Sequence, residues 1–569
     1  MESERVGVVD HEVGVPSELA KEEDVLMLLS SIDIRGNPGP TSYIRDVACR
    51  LQHLSSPQSE FPLAMEVLPD SYDSVPRKYG ISLLPDEMLA AIFDLAIDPL
   101  TKWRAADKIS GIVKLSHVNR QFRSILLAYP QYWTDVSSIL KPETVKLCLL
   151  RTRGSPLTVL LNVTCFFSPI EFRFDPALTE LILHSNHWKS LIVSYRWVYD
   201  DDKGTRRIPL LTSEPWHHTL IDTPLLEELT ISQEKEFSGL AHAFDWSNWI
   251  CPKLRELNLI NDFPTHLPGL SQISTLSLRL AIDDEKIYHI FSEISRMQNL
   301  QDLALELTSI PYDEDIIVYD PFKISQVRRL RITTTVHFSE KDFSPVLKRS
   351  IFSSLFFPGV DNLVVEMKGD NVLGYDAIWD DGYHPNRKFY FNKEINRIFR
   401  HINQFPLVES LRLDISSQYS YREDPDLRLE VYIPLNMLPS LKRVELKSNR
   451  FFDIKEPEHP DETFYPEEDA VAPRVVGNAF PLLDSATLDM SANPASARWI
   501  QDYLHKTKDR RCWHASFQLT IGREDSSGRR EESYVGEKAL QWCNDLLSKN
   551  INEGEYEDDS DEMGREVEE

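Results

Sequence analysis

The spacing of apolar and polar residues predicts a short helical segment followed by a long series of strands. Within residues 81–136, apolar positions recur every three or four residues, which is typical of amphipathic helices. The first predicted helix begins at the sequence LPDE (residues 84–87), because proline fits the first helical turn and two carboxylates favour the positive helix end. A second helix is predicted over residues 114–128, ending before the Tyr-Pro pair at 129–130. By pattern alone, these helices are either a cap on a larger domain or a docking module.

A different motif, apolar-x-x-apolar-x-apolar, recurs along the rest of the chain and often follows a proline. Clear copies are PALTELIL at 176–183, PLLEELTI at 224–231 and PKLRELNL at 252–259. Seven of ten copies carry proline at the same offset, which chance would rarely give with 35 prolines in 569 residues, so we interpret the copies as a repeat. The central apolar residues of the ten copies are Leu181, Leu229, Leu257, Leu276, Leu303, Leu330, Leu363, Leu411, Val444 and Ala486.

Each copy of this motif is short enough to form one strand whose apolar pair points toward a shared core. A single such strand cannot bury its apolar face, so neighbouring copies are expected to stack into a curved parallel sheet. Intervals of 19 to 48 residues between the centres indicate insertions between the copies. A non-solenoid α/β domain with several strands is the alternative.

The two ends of the chain have a different character from the repeats. Residues 1–80 are acidic and turn-rich, and we predict that they are mostly disordered, with a helix at 43–54. The repeats span 137–495 and lead into a C-terminal cap at 496–550, followed by an acidic, disordered tail at 551–569. The elements predicted around this cap are a helix at 495–506, a strand at 517–521, a polar loop at 522–532 and a helix at 536–549.

The net charge of −28 limits the classes of partner. Residues 1–24 and 553–569 hold much of this charge, but the rest of the chain is acidic as well. Because binding to nucleic acid or to anionic lipid depends on Lys and Arg, we expect no nucleic acid and no membrane as a partner. No run of apolar residues is long enough for a membrane span.

Cysteine usage and known motifs point away from catalysis. The six cysteines lie far apart without a CxxC pair, which predicts neither a disulfide framework nor a zinc site and fits a reducing compartment. With no signal-like segment at the N-terminus, we expect an intracellular protein of the cytoplasm, the nucleus or both. The sequence contains no nucleophile-elbow, metalloprotease, P-loop or dinucleotide-binding motif. We therefore predict no catalytic residue, no cofactor and no metal, and a protein that is not an enzyme.

Most of the helical segment resembles the F-box family, in the form common among mushroom-forming fungi. The resemblance is carried by LPDEMLAAIF at 84–93, LSHVNRQFRSI at 115–125 and PQYW at 130–133. The family often has Val-Cys-Arg-x-Trp where this chain has VNRQF at 118–122, and the stretch at 97–112 is longer than usual. The resemblance implies docking on the small helical adaptor of F-box-type cullin ubiquitin ligases. The residues matched to that contact, or to its support, are Leu84, Pro85, Met88, Leu89, Ile92, Phe93, Leu115, Val118 and Phe122.

The repeats are similar to the leucine-rich-repeat-like arrays that follow F-boxes. Together the two resemblances imply the α/β fold class, with a small all-α F-box-like domain at 81–136 ahead of an irregular leucine-rich-repeat-like solenoid. They imply the function of a substrate-recognition subunit of a cullin-RING ubiquitin ligase that holds an unknown target protein on its repeats. Two alternatives stay open: a non-ligase interaction scaffold whose helical segment only caps the repeats, and an enzyme of unrecognised type.

Tryptophan is concentrated in one part of the chain. Five of the eleven tryptophans fall between residues 188 and 249, and Trp188 continues the repeat pattern with Leu191 and Val193, so we predict that it lies in the core. The others either form a protein-recognition surface, since tryptophan concentrates binding energy, or pack over the edge of the repeats. These candidate target-binding residues are Trp197, Trp216, Trp246 and Trp249.

Overall fold

The computed structural model shows two compact units. The first unit takes in the chain up to Thr164 together with Phe172–Ile192 and Pro209–Leu211, and the second takes in the remainder. The structure describes residues 84–97, 105–167, 170–174, 177–198, 220–233, 246–261, 263–280, 284–307, 321–337, 351–370, 391, 395, 398–399, 401, 403–417, 429–448, 452–455, 481–489, 494–507, 516–525 and 528–554. The helix predicted at 43–54 lies outside the described residues, as does the rest of the predicted N-terminal segment.

Helices dominate the first unit. They are α1 (Asp86–Ile97), α2 (Ala105–Ser116), α3 (Arg120–Ala128), α4 (Pro142–Thr152) and α5 (Leu178–Ile182). A 3-10 turn at Pro130–Trp133 leads from α3 into strand β1 (Asp135–Ser137), which pairs in parallel with β2 (Leu157–Phe167). Strands β3 (Ile170–Phe174) and β4 (Trp188–Val198) lie before and after α5 in the chain.

The helical segment contains three helices where the sequence predicts two. Helix α1 begins where the sequence predicts it. The single helix predicted over 114–128 is wrong, because one helix ends at Ser116 and the next begins at Arg120. The cause is a helix cap at Asn119, whose side-chain oxygen accepts a hydrogen bond of 2.8 Å from the backbone N–H of Phe122. An asparagine in this position starts a new helix rather than continuing the old one.

A large, mostly parallel sheet forms the frame of the second unit, so the chain is a mixed α/β protein. In the order in which they lie side by side, its strands are β6 (Glu228–Gln233), β8 (Glu256–Ile260), β9 (Thr275–Leu280), β10 (Asp302–Leu307), β12 (Arg329–His337), β14 (Asn362–Asp370), β15 (Ser410–Ser417), β17 (Arg443–Ser448), β19 (Ser485–Asp489), β20 (Gln518–Asp525) and β21 (Gly528–Val535). Shorter parallel pairs join β5 (Ile221–Asp222) to β7 (Trp249–Ile250), β11 (Phe322–Lys323) to β13 (Leu355–Phe356) and β16 (Leu429–Tyr432) to β18 (Phe452–Lys455). The helices described in this unit include α6 (Asp284–Arg296), α7 (Pro494–Thr507) and α8 (Glu537–Gly554).

The repeated apolar residues pair with one another across this sheet. From Leu229 to Ala486, the central residue of each copy is the Cα partner of the central residue of the next. The apolar residues two positions further along also pair, for example Leu305 with Ile332. Both rows are buried, and most residues between them are accessible, which is the alternation expected when one face of a sheet covers a core. The prediction of a parallel sheet built from these copies is confirmed.

Backbone hydrogen bonds just before the strands hold this register. The carbonyl oxygen of Asp361 accepts from the N–H groups of Glu409 and Ser410, at 2.9 and 3.0 Å. The same double acceptance recurs at Glu227, Arg255, Ser274, Gln301, Arg328, Glu409 and Lys442. Because only backbone groups take part, the link between neighbouring copies places no demand on the side chain at this position.

The first copy of the repeat is a correction to the sequence prediction. Residues 178–182 form the helix α5 and not a strand. Leu178 and Leu181 are buried in this helix, and together with Ile182 they have the i, i+3, i+4 spacing of one helical face. The strand of this copy is β4 instead, in which Leu191 is fully buried.

The parallel sheet also extends further than the sequence predicts. Strand β20 pairs Leu519 with Ala486, so the sheet continues beyond the predicted boundary at residue 495. The polar loop predicted at 522–532 is wrong, because β20 and β21 form an antiparallel hairpin across it. The polar side chains of this stretch are those of a strand at the end of a sheet, where charge discourages pairing with another chain.

The two helices predicted near the C-terminus are confirmed, although the second is longer than expected. They pack against each other, and Gln501 Nε2 donates a hydrogen bond of 2.7 Å to Asn544 Oδ1. Helix α8 continues to Gly554. Its last turn therefore lies within residues 551–569, for which the sequence predicts disorder.

Candidate functional site

The inner face of α1 is fixed by a compact apolar core in the first unit. Leu89 and Phe93 on this face are fully buried. The ring of Phe93 contacts the ring of Phe122 edge to face, with centroids 4.7 Å apart, and Leu115 of α2 is also buried. These four residues, which the F-box resemblance assigns to adaptor contact or its support, lie where they can only support a binding surface.

The outer face of α1 carries a second set of apolar side chains. Met88 is 53% exposed, Leu95 is 77% exposed, and Ile92 lies between them, partly exposed. Ile92 lies about one helical turn after Met88, and Leu95 lies about one turn after Ile92. The three side chains therefore form one line along the helix, which we name the outer stripe. Leu84, partly exposed, and Pro85, exposed, lie just before the helix at its start.

Leu95 is the one member of the outer stripe that the sequence assignment missed. It lies seven residues after Met88, which is close to two full helical turns. Continuing the spacing of Met88 and Ile92 by one more turn would have identified it. A large aliphatic side chain with this exposure is uncommon on the helices described here, where only Leu150 of α4 approaches it at 71%.

Contacts between α3 and the start of α1 fix the N-terminal end of the outer stripe. Gln121 Nε2 donates hydrogen bonds to Asp86 Oδ1 at 2.9 Å and to the carbonyl oxygen of Leu84 at 3.4 Å. Val118 lies in the turn between α2 and α3 and is partly exposed. The remaining predicted adaptor-binding residues are thus accessible, in contrast to the four that belong to the core.

The 3-10 turn after α3 closes the core by two side-chain hydrogen bonds. Trp133 Nε1 donates to the carbonyl oxygen of Leu126 at 2.8 Å, and the Tyr132 hydroxyl donates to the carbonyl oxygen of Ala90 at 3.0 Å. Burial, reinforced by the carboxylate of Asp94, raises the pKa of Tyr132 well above its usual range. The hydroxyl therefore stays protonated and keeps its donor role toward α1.

An ion pair between Lys108 and Asp135 connects α2 to strand β1. The side chains are only 11% and 19% exposed. With so little exposure, each of the two charges needs the other, because either one left alone would be poorly solvated. The ion pair therefore holds α2 against β1, the strand that follows the helical segment.

The tryptophan pair proposed as a recognition surface lies in the core. Trp246 and Trp249 are each 2% exposed, and their ring centroids are 4.8 Å apart. This burial corrects the expectation of a partner-facing pair and favours the alternative of packing. Trp188 is fully buried, as predicted. The side chain of Trp197 and all of Trp216 lie outside the described residues.

The described residues contain little that suggests bond-making chemistry. Burial raises the pKa of the thiols of Cys148 and Cys543 to about 12 and that of Cys251 to about 11, so at neutral pH these thiols are not nucleophiles. Within the same described ranges, no group of three or more His, Cys, Asp and Glu residues could bind a metal ion. Nor does any helix in that part of the chain have the length and apolar character to cross a bilayer.

No protein family model and no curated protein matches this sequence. The outer stripe of α1 and the repeated strands are therefore the features from which a function can be inferred. One is an exposed apolar line on a small helical segment, and the other is a long sheet with an accessible polar face.

Proposed function

We propose that the chain is the substrate-recognition (F-box) subunit of a cullin-RING ubiquitin ligase. In this proposal the outer stripe of α1, with Leu84 and Pro85, docks on the small helical adaptor of the ligase. The repeats form an irregular leucine-rich-repeat-like solenoid that holds a target protein. The chain makes no bond itself, and a separate enzyme transfers ubiquitin.

The two-faced character of α1 is the observation that supports adaptor docking. The inner face already covers a core, whereas Met88 and Leu95 of the outer stripe stay mostly exposed among the described residues of the first unit. Burying the exposed parts of Met88 and Leu95 against a partner would contribute up to about 1.5–3 kcal/mol for each side chain, and Ile92 would add less because it is already partly buried. A preformed helix that offers i, i+4 and i+7 anchors is a common way to dock on a helical partner.

The mechanism in this proposal is proximity. The helical segment fixes the chain to the ligase, and the repeats fix the target protein to the chain. A lysine of the target then meets the ubiquitin-loaded enzyme at high effective concentration, in place of a chance encounter. Such a subunit needs two binding surfaces and no catalytic residue.

Co-purification from cells tests the proposal. We expect the tagged full-length chain to retain the adaptor and the cullin, and Met88→Glu with Leu95→Glu to remove both, because two carboxylates would face an apolar partner surface. Leu84→Ala with Pro85→Ala should weaken retention in the same direction. The matched control is Leu150→Glu, the same chemical change at an equally exposed leucine on α4, which should retain both partners.

The same purification, done with the proteasome blocked, would recover the target protein. Target retention should survive the outer-stripe variant, since the target is held by the repeats. If the wild-type chain retained partners but no adaptor or cullin, the ligase proposal would be wrong and the interaction-scaffold alternative would stand.

A further inference from the structure

The accessible face of the second unit's sheet is divided by charge. On β6, β8, β9 and β10, the outward side chains include one cation, Arg279, and four carboxylates, so this part of the face is acidic. On β12, β14, β15 and β17, the described outward side chains include six cations and three carboxylates. We name this second part the basic sheet face. Its cations are Arg329, Arg331, Lys368, Arg412, Arg443 and Lys447, and its carboxylates are Glu366, Asp414 and Glu445.

Several cations of the basic sheet face are loosely paired. Arg331 lies 3.5 Å from Glu366, and Arg412 lies 3.4 Å from Asp414 and 3.6 Å from Glu445. Charged hydrogen bonds of good geometry are about 2.7–2.9 Å long, so these arginines can still donate to a better placed carboxylate. Two other arginines of the sheet are closely paired: Arg279 of the acidic part lies 2.8 Å from Glu306, and Arg329 of the basic sheet face donates two hydrogen bonds to Asp302 of β10.

Two further observations show unused capacity at this surface. Within the described part of the chain, Lys368 and Lys447 form no ion pair with a carboxylate. The Nε of Arg412 is buried and donates to no acceptor in that same part. A net positive surface is unexpected in a chain of charge −28, and it attracts anionic partners.

We propose that the basic sheet face binds the chain's own acidic tail, residues 555–569. This segment holds nine carboxylates and one arginine, and it follows directly after α8 in the same unit. Fifteen residues span up to about 50 Å when extended. The four strand spacings from β21 to β15 amount to about 19 Å, and α8 is about 27 Å long, so the tail can reach the part of the basic sheet face on β15 and β17 even when the two distances add.

Attachment in the same chain favours this occupant over an acidic segment of another protein. A tethered segment meets its site at an effective concentration in the millimolar range, far above that of most free partners. Bound there, the tail would compete with a target protein for the face. That consequence alone rests on the proposed function, since the charge match itself does not involve the ligase.

A labelled peptide of residues 555–569, titrated into full-length protein at low salt, tests the inference. We expect the wild type to bind it weakly, because its own tail occupies the face. A tail variant, with every tail carboxylate replaced by the matching amide, should bind the peptide at least about tenfold more tightly, and added salt should weaken this binding.

Charge changes on the sheet locate the site. In the tail variant, Arg331→Glu with Arg412→Glu should weaken peptide binding by about tenfold or more, whereas the matched reversal Arg279→Glu on the acidic part should not. If the double reversal lowers the melting temperature, Arg331→Gln with Arg412→Gln serves the same purpose and should weaken binding in the same direction.

Three results would overturn the inference: no peptide binding to the tail variant, equal binding after the changes at Arg331 and Arg412, or equal binding to the wild type and the tail variant. The last would mean that the face is open to acidic segments of other proteins. The titration contains neither adaptor nor target, so its failure leaves the co-purification test of the proposed function unaffected.

Discussion

The ring of Phe93 on α1 meets the ring of Phe122 on α3 edge to face, with planes inclined at 68°. Both residues are fully buried, and they join the helix that carries the outer stripe to the helix capped by Asn119. The exposed apolar line on α1 is therefore supported by an aromatic contact directly behind it.

Replacing Phe93 by Ala should lower the free energy of unfolding of the first unit by about 3–5 kcal/mol, because it removes a buried ring and leaves a cavity. Hydrogen exchange of the α1 and α3 amides would measure this change. Leu95→Ala, at a position that is 77% exposed, is the control and should change the same quantity by less than about 0.5 kcal/mol. Equal effects of the two substitutions would contradict the assignment of inner and outer faces.

The ion pair between Lys108 and Asp135 should behave as a unit in a double-mutant cycle. Lys108→Met alone leaves a nearly buried carboxylate without its partner and should cost about 3 kcal/mol of stability. Lys108→Met combined with Asp135→Leu replaces both charges by apolar groups and should recover most of that loss. Urea denaturation of the four proteins gives the coupling energy, and a double variant as unstable as the sum of the two single variants would contradict the pairing.

Gly359 should not tolerate a side chain. A Cβ atom placed there would lie 2.1 Å from the carbonyl oxygen of Ser325, so Gly359→Ala forces two turns of neighbouring repeats apart. We expect a loss of about 2 kcal/mol or more in thermal or urea denaturation. Gly269→Ala is the control: the nearest atom lies 3.8 Å away, and only the positive φ of 88° opposes the change, at about 1 kcal/mol. A smaller loss at Gly359 than at Gly269 would count against the close approach.

The buried thiols predict a pH dependence of stability at the alkaline end. In the folded chain Cys148 keeps its proton up to a pKa of about 12, whereas an exposed thiol loses it near its ordinary value of 9.0. Raising the pH from about 9 toward 12 therefore favours the unfolded chain, and stability should fall in that window.

Alkylation reports on the same thiols directly. Iodoacetamide at pH 8, followed by peptide mass spectrometry, should leave Cys148, Cys251 and Cys543 unmodified in the folded protein and modify them in urea. Modification of Cys148 in the folded protein at the rate seen in urea would contradict its burial.

The sheet could be predicted from the sequence because its signal is repeated. A Leu-x-Leu pair such as Leu303 and Leu305 is ambiguous alone, but nine copies in register supply the same short strand many times over. The first copy differs because Leu178, Leu181 and Ile182 share one helical face, and the chain forms the helix α5 there. The only sign of the strand of that copy in the sequence is the apolar pattern of Trp188 with Leu191 and Val193.

The helical segment was less predictable, since its details depend on single side chains. The break before α3 rests on one hydrogen bond accepted by Asn119, and an unbroken apolar pattern across it conceals the break. Which face of α1 is buried depends on packing against Phe122, and so the sequence could not separate the core residue Leu89 from the exposed Met88.

The most direct test of the central proposal is a calorimetric titration of the purified full-length chain with purified adaptor. The account predicts one-to-one binding with a Kd of about 1 μM or tighter, weakened at least about tenfold by Met88→Glu with Leu95→Glu at unchanged melting temperature, and unaffected by Leu150→Glu. No binding by the wild type at tens of micromolar, or an unchanged Kd in the outer-stripe variant, would contradict it.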